Sequence, residues 1–430
     1  MKPAALVVAG FLVGCQPDPE TVELFVTPGL DASIGDETRF VVSVVGATDN
    51  QTFASVDVGR GTPFSFGELP DDALLRFEAT GDVVGRTPAV VLDGATDGAV
   101  LPLFVQPPRQ WGRPGVVERT HQDGIAAAIG ERFLLLTGGS RDDAEQVTFY
   151  DQLTLGPASG GTLSFVPRTV VVSADGNAAL FLEEERALWL DFAGGDSEEL
   201  EPPTGLSWRD FAGGEVVRGP TTSFVLPGPA GASDGLLVVD PVARVVSGAS
   251  LSAARRHPGA TWAEGFGLVV LGGTPDAPGL ELVSEQTGAW VSRALPYEPI
   301  ASAGHSVFHW GEGDVRAACG EGLTLERYDL GCAADCAPTP SASVPTTLPL
   351  SRCRSFVIDG ETALIVGDNL AGVVTSALYG RLDNRLEERP LREDRRGATT
   401  LATPNGSIAV LGGVTPEEGV PVLSVEQFTP

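Results

Sequence analysis

The residues with the clearest chemical potential are five cysteines, which fall into two groups. Cys15 stands alone near the amino terminus, whereas Cys319, Cys332, Cys336 and Cys353 lie within 35 residues of one another. Clustered thiols either bind a metal ion or oxidise to disulfides. Their spacing does not match a CxxC zinc pair, and no histidine lies in the second half of the cluster. These four cysteines therefore predict two disulfides, with three possible pairings.

Histidine is the next candidate for catalysis or metal binding, and the chain has four: His121, His257, His305 and His309. His305 and His309 are four residues apart, which puts them on one face of a strand, where they could hold a metal ion. Three of the four, however, occupy a position that recurs along the chain, which favours a structural role. The sequence has no Gly-x-Ser-x-Gly elbow, P-loop, dinucleotide fingerprint or EF-hand loop. It predicts no catalytic residue, no metal site and no cofactor.

The segment before Cys15 has the pattern of an export signal. Lys2 is followed by an uncharged, largely apolar run over residues 4–14. This run is shorter than the ~20 apolar residues that a transmembrane helix needs. It has the length of the apolar region of a signal peptide.

The string Leu12-Val13-Gly14-Cys15 resembles the lipobox of bacterial lipoproteins. The resemblance implies that residues 1–14 are a signal peptide, that the chain is cleaved before Cys15, and that Cys15 carries the lipid. Residues 15–21 then form a lipidated tether, and Gln16 implies a place in the outer membrane of the cell envelope. The alternative is an ordinary secretory signal with cleavage at another position.

The composition indicates an all-β protein with an acidic surface. Glycine (54) and proline (33) are abundant, and no long amphipathic helical pattern is present, which favours many short strands joined by turns. The formal net charge is −29. Such a field repels nucleic acid and anionic lipid head groups, so no nucleic-acid partner is expected.

Residues 22–106 predict a small β domain. Alternation is clearest in residues 74–79, where Leu75, Phe77 and Ala79 face one way. A strand–turn–strand pattern begins at Phe64 and resembles transthyretin-like or immunoglobulin-like sandwiches. Its length suits a sandwich. The predicted strands are residues 22–26, 40–45, 74–79, 89–92 and 100–105.

Residues 107–430 contain a repeated pattern. Three apolar strands end in a glycine pair: Gly138-Gly139, Gly272-Gly273 and Gly412-Gly413. Their separations are close to three units of 45–47 residues, so four degenerate copies are expected between them. The degenerate copies are residues 178–182, 223–226, 315–320 and 363–368. Each copy is followed by an alternating strand and preceded by a basic or histidine position, namely Arg119 and His121, Arg168, Arg209, Arg255 to His257, His305, Arg352 and Arg354, and Arg395-Arg396.

This order resembles the kelch repeat. The resemblance implies a seven-bladed β-propeller, preceded by the small sandwich, in which each four-stranded sheet is covered by its neighbours. The six paired glycines are expected where φ is positive or where backbones approach closely. The recurring basic positions are expected to be scaffold. Residues 106–112 are expected to add an outer strand to the last sheet and so close the ring.

The expected topology ranks the disulfide pairings. Cys319 ends the second strand of the fifth copy, and Cys353 begins the first strand of the sixth, so antiparallel order puts both at one face of the ring. Cys332 and Cys336 follow a third strand and lie at the other face. The favoured pairs are Cys319–Cys353 and Cys332–Cys336.

The sequence therefore predicts a membrane-anchored envelope lipoprotein that binds a protein, peptide or glycan without catalysis. The alternative is a carbohydrate-active enzyme with its site at the mouth of the propeller channel. Two or more carboxylates converging with arginine in a deep channel would favour the enzyme. A shallow funnel lined by glycine, alanine and turn residues would favour binding. Fold alone decides neither.

Overall fold

The protein is described by a computed structural model over residues 22–31, 34–35, 37–58, 64–66, 69, 73–91, 100–158, 160–276, 279–320, 324–334 and 336–430. Cys15 and the expected signal peptide and tether lie outside the described residues. Within these ranges the fold is all-β, and its one helix is a short 3-10 turn at Trp208–Asp210. No helix in this part of the chain has the length and apolar character needed to cross a membrane.

Two sheets occupy the amino-terminal part of the chain. Their strands are β1 (Val22–Thr27), β2 (Phe40–Gly46), β3 (Thr52–Val58), β4 (Phe64–Phe66), β5 (Leu74–Gly81), β6 (Gly85–Arg86), β7 (Val90–Val91) and β8 (Val100–Phe104). One sheet has the order β4-β1-β8, and the other has the order β3-β2-β5-β6 with β7 also paired to β5. The inward alternation expected for Leu75, Phe77 and Ala79 is confirmed, since all three are buried in the core of this region. Strand β3 was not predicted; it is an edge strand whose residues are largely exposed.

Beyond residue 110, the described residues form seven four-stranded antiparallel sheets, named A to G in chain order. Strand β9 (Trp111–Val116) precedes sheet A. Sheet A comprises β10 (Ile125–Ile129), β11 (Phe133–Thr137), β12 (Thr148–Asp151) and β13 (Gly156–Ala158). Sheet B comprises β14 (Thr169–Val172), β15 (Ala178–Leu182), β16 (Ala187–Asp191) and β17 (Ser197–Leu200). Sheet C comprises β18 (Val216–Arg218), β19 (Ser223–Val225), β20 (Ser233–Asp240) and β21 (Val245–Arg255).

The remaining sheets repeat this order. Sheet D comprises β22 (Gly259–Ala263), β23 (Gly267–Leu271), β24 (Leu280–Gln286) and β25 (Ala289–Leu295). Sheet E comprises β26 (Ser306–His309), β27 (Asp314–Ala318), β28 (Thr324–Asp329) and β29 (Thr339–Ser343). Sheet F comprises β30 (Ser351–Val357), β31 (Thr362–Asp368), β32 (Val374–Gly380) and β33 (Leu386–Glu388). Sheet G comprises β34 (Thr399–Ala402), β35 (Ile408–Leu411), β36 (Ser424–Phe428) and β9.

The seven apolar segments found by periodicity coincide with the second strands of the seven sheets. The degenerate copies correspond to β15, β19, β27 and β31, and the glycine pairs follow β11, β23 and β35. Second strands are the most continuously buried strands, because a sheet neighbour lies on both sides and another sheet covers each face. Their uninterrupted apolar character therefore carries the repeat signal.

Sheet G combines the two ends of this region. Strand β9 pairs antiparallel with β36, with Trp111 opposite Phe428 and Val116 opposite Ser424. The predicted outer strand is therefore present, but it spans Trp111–Val116 and not 106–112. The reason lies in residues 106–108: Gln106 bridges back to Val84, and the two prolines that follow have no N–H to donate to a ladder.

Neighbouring sheets share apolar cores in a cyclic order. Among the described residues, six hydrophobic clusters join A with B, B with C and so on to F with G, and a seventh joins G back to A. The first strands contact one another in the same order, including β34 with β10. Leu135 of sheet A, for example, packs with Phe181 of sheet B, and both are fully buried. Burying such a side chain contributes about 1.5–3 kcal/mol, so each sheet is stabilised mainly by its two neighbours.

The amino-terminal sheets pack against one edge of sheets A and G. Leu153, between β12 and β13, lies in the amino-terminal core. Asn405 Nδ2, between β34 and β35, donates to the Arg86 carbonyl at 2.9 Å, and the Arg113 N–H donates to Asp31 Oδ2 at 2.7 Å. First and third strands end at this edge. It is called the opposite edge below, because the glycine pairs lie at the other edge, the glycine edge.

Candidate binding site

The glycine pairs form the turns at which neighbouring sheets meet. All six glycines have positive φ, from 70° to 100°, a region that side chains strongly disfavour. A Cβ at Gly138 would lie 2.5 Å from the Pro167 carbonyl oxygen before sheet B, and one at Gly272 would lie 2.7 Å from the Ser302 carbonyl oxygen before sheet E. Both reasons expected for glycine at these positions are therefore confirmed.

Three recurring basic positions form the internal support of these turns. His121, Arg255 and Arg395 are fully buried, and each lies 17 residues before the first glycine of its pair. Each ring or guanidinium nitrogen hydrogen-bonds the carbonyl oxygen of that glycine, at 3.0, 2.7 and 3.3 Å respectively. The two arginines also form buried ion pairs, Arg255 with Glu281 and Arg395 with Glu426. These three side chains are scaffold, as the sequence predicted.

His121 gives a pH prediction. Burial lowers its pKa, although the Gly138 carbonyl opposes this shift. Below about pH 6.5 the unfolded imidazole takes up a proton while the folded one stays neutral, so the free energy of unfolding falls as the pH falls, by up to about 1.4 kcal/mol per pH unit. Urea unfolding at pH 7.5 and 5.5 should show a smaller pH-dependent loss in His121→Gln than in the wild type. Equal losses in the two proteins would contradict this.

A cavity of about 620 Å³ opens at the glycine edge, where the seven sheets converge. Every sheet or the segment leading into it contributes to the wall. One lining residue from each, in the order A to G, is Asp123, Arg168, Glu215, His257, His305, Arg352 and Thr399. The wall also contains several glycines and prolines from turns. The cavity therefore has both features that were expected to distinguish the two functions: the converging charged groups expected of an enzyme and the turn-residue lining expected of a binding site.

Ion pairs connect the sheets across this cavity. Arg354 Nη1 lies 3.0 Å from Glu215 Oε1, which joins sheet F to the segment before sheet C. Arg352 Nε lies 2.6 Å from Asp368 Oδ2, and its Nη1 also pairs with Asp123 before sheet A. Burial raises the pKa of both Glu215 and Asp368, against the opposing effect of their arginines. The cavity thus holds two carboxyl groups with raised pKa beside two guanidinium groups.

Arg352 and Arg354 form ion pairs within and between sheets, as expected of scaffold positions, but unlike the three buried basic residues they also line the cavity. Both side chains are about half exposed, at 47% and 48%, and both line the cavity. The ladder between β30 and β31 shifts register between Ser351 and Arg354, and Arg352 has a φ of +48°. A bulge of this kind redirects side chains, and here it puts both arginines on the cavity side.

The two disulfides are Cys319–Cys353 and Cys332–Cys336, which are the favoured pairings. Cys353 lies between the two cavity arginines, so its bond to Cys319 ties the bulged part of β30 to sheet E. The second disulfide closes a five-residue loop that follows β28 at the opposite edge. Only the first of the two is at the cavity.

A groove of about 670 Å³ adjoins the cavity, and the two share Pro229, His257 and Gly304 in their walls. Most of its lining side chains are small, with five alanines at 232, 253, 254, 301 and 303. Within the described part of the chain, His257 Nδ1 is buried and has no hydrogen-bond partner. Burial lowers the pKa of His257, and Arg354 and Arg256 lower it further, so its ring is neutral at neutral pH. His257, which lines both spaces, therefore carries a buried ring nitrogen without a hydrogen-bond partner among the described residues.

The other two histidines do not come together. His305 Nε2 lies 2.8 Å from Ser302 Oγ at the glycine edge, whereas His309 ends β26 and packs beside Phe266. Within the described ranges, no three histidine, cysteine or acidic side chains are grouped so as to hold a metal ion.

The sequence analysis identified the basic residues of the cavity, but as scaffold positions. It did not identify the acidic residues Asp123, Glu215 and Asp368. The first two lie in connecting segments, which the repeat pattern does not reach. Asp368 had a signal, since it stands where a complete repeat has its second glycine. The chain matches no protein-family model and no curated protein, so its function has to be argued from the chemistry of this cavity.

Proposed function

We propose that this chain is a lipid-anchored bacterial envelope protein whose seven sheets form a kelch-like, seven-bladed β-propeller that binds a partner without catalysis. The observation that carries the proposal is the cavity at which all seven sheets converge. Ligand sites in proteins are concave, with a few polar groups placed by a rigid frame. The cyclic sharing of apolar cores and the joint sheet G supply such a frame.

The ion pairs favour binding over catalysis. Glu215, Asp368 and Asp123 each pair with an arginine, Asp368 and Asp123 sharing Arg352, so none of the three carboxylates is left without a cationic partner before a ligand arrives. The guanidinium groups remain about half exposed and are the more accessible members of the pairs. A ligand with acidic groups can therefore be bound without removing a protein carboxylate from its partner.

A carbohydrate-active enzyme is the second candidate, and one observation favours it. The raised pKa of Glu215 and of Asp368 is what a general acid needs near neutral pH. If the cavity hydrolyses a glycan, Glu215→Gln should abolish release of reducing ends while glycan binding persists. Purified wild-type protein that releases no sugar from envelope polysaccharides would leave binding as the function.

The position of the amino-terminal sheets gives the proposed binding face a direction. They contact the opposite edge of sheets A and G. A lipid on Cys15 would be joined to β1 by residues 15–21, which can span at most about 25 Å. The anchor would hold the opposite edge towards the membrane, and the cavity would face away from it.

Metabolic labelling tests the anchor. Cells grown with an alkyne fatty acid should yield labelled wild-type protein, and Cys15→Ser should abolish the label, because a thioether-linked lipid requires that thiol. Intact-mass analysis should place the mature amino terminus at Cys15. An unlabelled wild-type protein would contradict the anchor and leave a freely secreted or periplasmic binding protein.

Site-specific photocrosslinking tests the binding face. A benzoylphenylalanine at Thr400, in the cavity wall, should capture a discrete envelope component in intact cells. The same probe at Leu382, which is 77% exposed between β32 and β33 at the opposite edge, is the matched control. Equal capture from both positions, or capture from neither, would count against the cavity as the binding site.

A further inference from the structure

The arginine pair has unused hydrogen-bonding capacity. Two guanidinium groups carry ten N–H donors. Arg352 uses Nε and one N–H of Nη1, and Arg354 uses one N–H of Nη1. The other seven have no acceptor among the described residues. Guanidinium groups match carboxylates in shape and charge, so this pair is suited to an additional carboxylate from a ligand.

The adjoining groove has a different character from the cavity. Its alanines and prolines offer shallow apolar surface, with Ala254, Ala301 and Ala303 exposed, and the lining also includes two exposed charged residues, Arg256 and Asp276. No phenylalanine, tyrosine or tryptophan is among the described lining residues of either space. Sugar rings are commonly held by stacking on aromatic rings, so the combined surface is poorly suited to an oligosaccharide and better suited to an extended chain with small side chains.

His257 lies where the two spaces meet. Its neutral ring has an unpartnered Nδ1 that is buried, and a turn of the ring towards the cavity would let this atom hydrogen-bond a ligand amide. A ligand that reaches from the arginines into the groove passes this ring. Charge at one end, a polar group next to it and a track of small side chains beyond are the features of a site for a polypeptide terminus.

We infer that the cavity and the groove together bind the carboxyl-terminal segment of a peptide, with the terminal carboxylate on Arg352 and Arg354 and the preceding residues along the groove past His257. This assignment rests on the proposed binding function and names its ligand class. Because the arginines bind the terminal carboxylate, the peptide can lie in the site in only one direction. The alanine walls select small or narrow side chains at the preceding positions.

Two peptide pools test the polarity. Randomised N-acetyl tetrapeptides with a free carboxyl terminus, and the same pool as carboxamides, are passed over the immobilised full chain and identified by mass spectrometry. The free acids should be retained at least about tenfold better, because a charge-assisted contact is lost in the amide. Equal retention of both pools, or retention of amides that carry acidic side chains, would overturn the inference.

Substitutions of Arg352 and Arg354 test whether these two side chains bind the peptide carboxylate. Arg352→Gln with Arg354→Gln should abolish retention of the free acids. Arg354→Lys should weaken it less, since the charge stays but the fork is lost. Arg209→Gln, at a side chain that is 70% exposed outside the cavity wall, is the control. Thermal unfolding of each variant separates a folding defect from a binding defect, and undiminished retention by a folded double variant would refute the assignment.

Filling the groove tests the second half of the site. Ala303→Trp should abolish tetrapeptide retention, while direct binding of N-acetyl-alanine, which needs only the arginines, should be the same in the wild type and the variant. Unchanged tetrapeptide retention in this variant would refute the groove. If Thr400 captures a partner but the free-acid pool is not retained, the binding function stands and the peptide inference fails. If Thr400 captures nothing either, both fail.

Discussion

Replacing Trp111 by alanine is expected to lower the free energy of unfolding by about 3–5 kcal/mol, the usual cost of deleting a large buried aromatic ring. Trp111 is 1% exposed, its ring centroid lies 5.5 Å from that of Phe428, and its Nε1 donates to Ser376 Oγ at 2.8 Å. It therefore links β9 to β36 within sheet G and sheet G to sheet F. Urea unfolding followed by far-ultraviolet circular dichroism gives the measurement.

Val116→Ala provides the control for this substitution. Val116 ends the same strand but is 38% exposed, so its truncation should change the free energy of unfolding by less than about 0.5 kcal/mol. Similar effects of the two substitutions would mean that β9 does not hold sheet G together in solution. A large effect of Trp111→Ala alone would show that the strand preceding sheet A secures the last sheet.

The repeat could be predicted because its signal comes from burial. Second strands such as β15 and β23 are apolar at nearly every position, and the glycine pairs mark turns where a side chain would collide with the next sheet. Both signals are local in sequence and recur at a fixed period. Strand β3 of the amino-terminal region could not be predicted in this way, because it is an edge strand that exposes Thr52, Phe53, Ser55 and Asp57 and buries only its last residue.

The cavity could not be predicted from the same pattern, because basic residues close to the recurring position have two structural outcomes. In sheets A, D and G the basic residue points inwards to a glycine carbonyl. In sheet F the second glycine is replaced by Asp368, and Arg352, which lies 15 residues before Gly367, pairs with this carboxylate at the cavity. The sequence shows that Asp368 replaces a glycine. It does not show the bulge in β30, which brings Arg352 to this carboxylate at the cavity.

A second large effect is expected from Glu426→Gln, which should lower the free energy of unfolding by about 3–5 kcal/mol, because removing one partner leaves a buried charge uncompensated. Glu426 and Arg395 are both fully buried, with 2.8 Å between Oε1 and Nη2. Glutamine keeps the shape but not the charge, and the nearest other carboxylate, Glu393, lies 3.9 Å from Arg395. Urea unfolding at neutral pH measures the loss.

Two comparisons separate the charge from the shape. Glu199→Gln breaks the surface pair between Glu199 and Arg186, whose side chains are 58% and 37% exposed, and should leave the free energy of unfolding almost unchanged. Combining Arg395→Met with Glu426→Leu removes both charges and should restore most of the stability, since apolar replacements of buried pairs are often neutral. If the free energy of unfolding of Glu426→Gln is no lower than that of Glu199→Gln, water must reach Arg395. A double variant as unstable as the single one would mean that the arginine supports its glycine turn through the carbonyl hydrogen bonds and not through the ion pair.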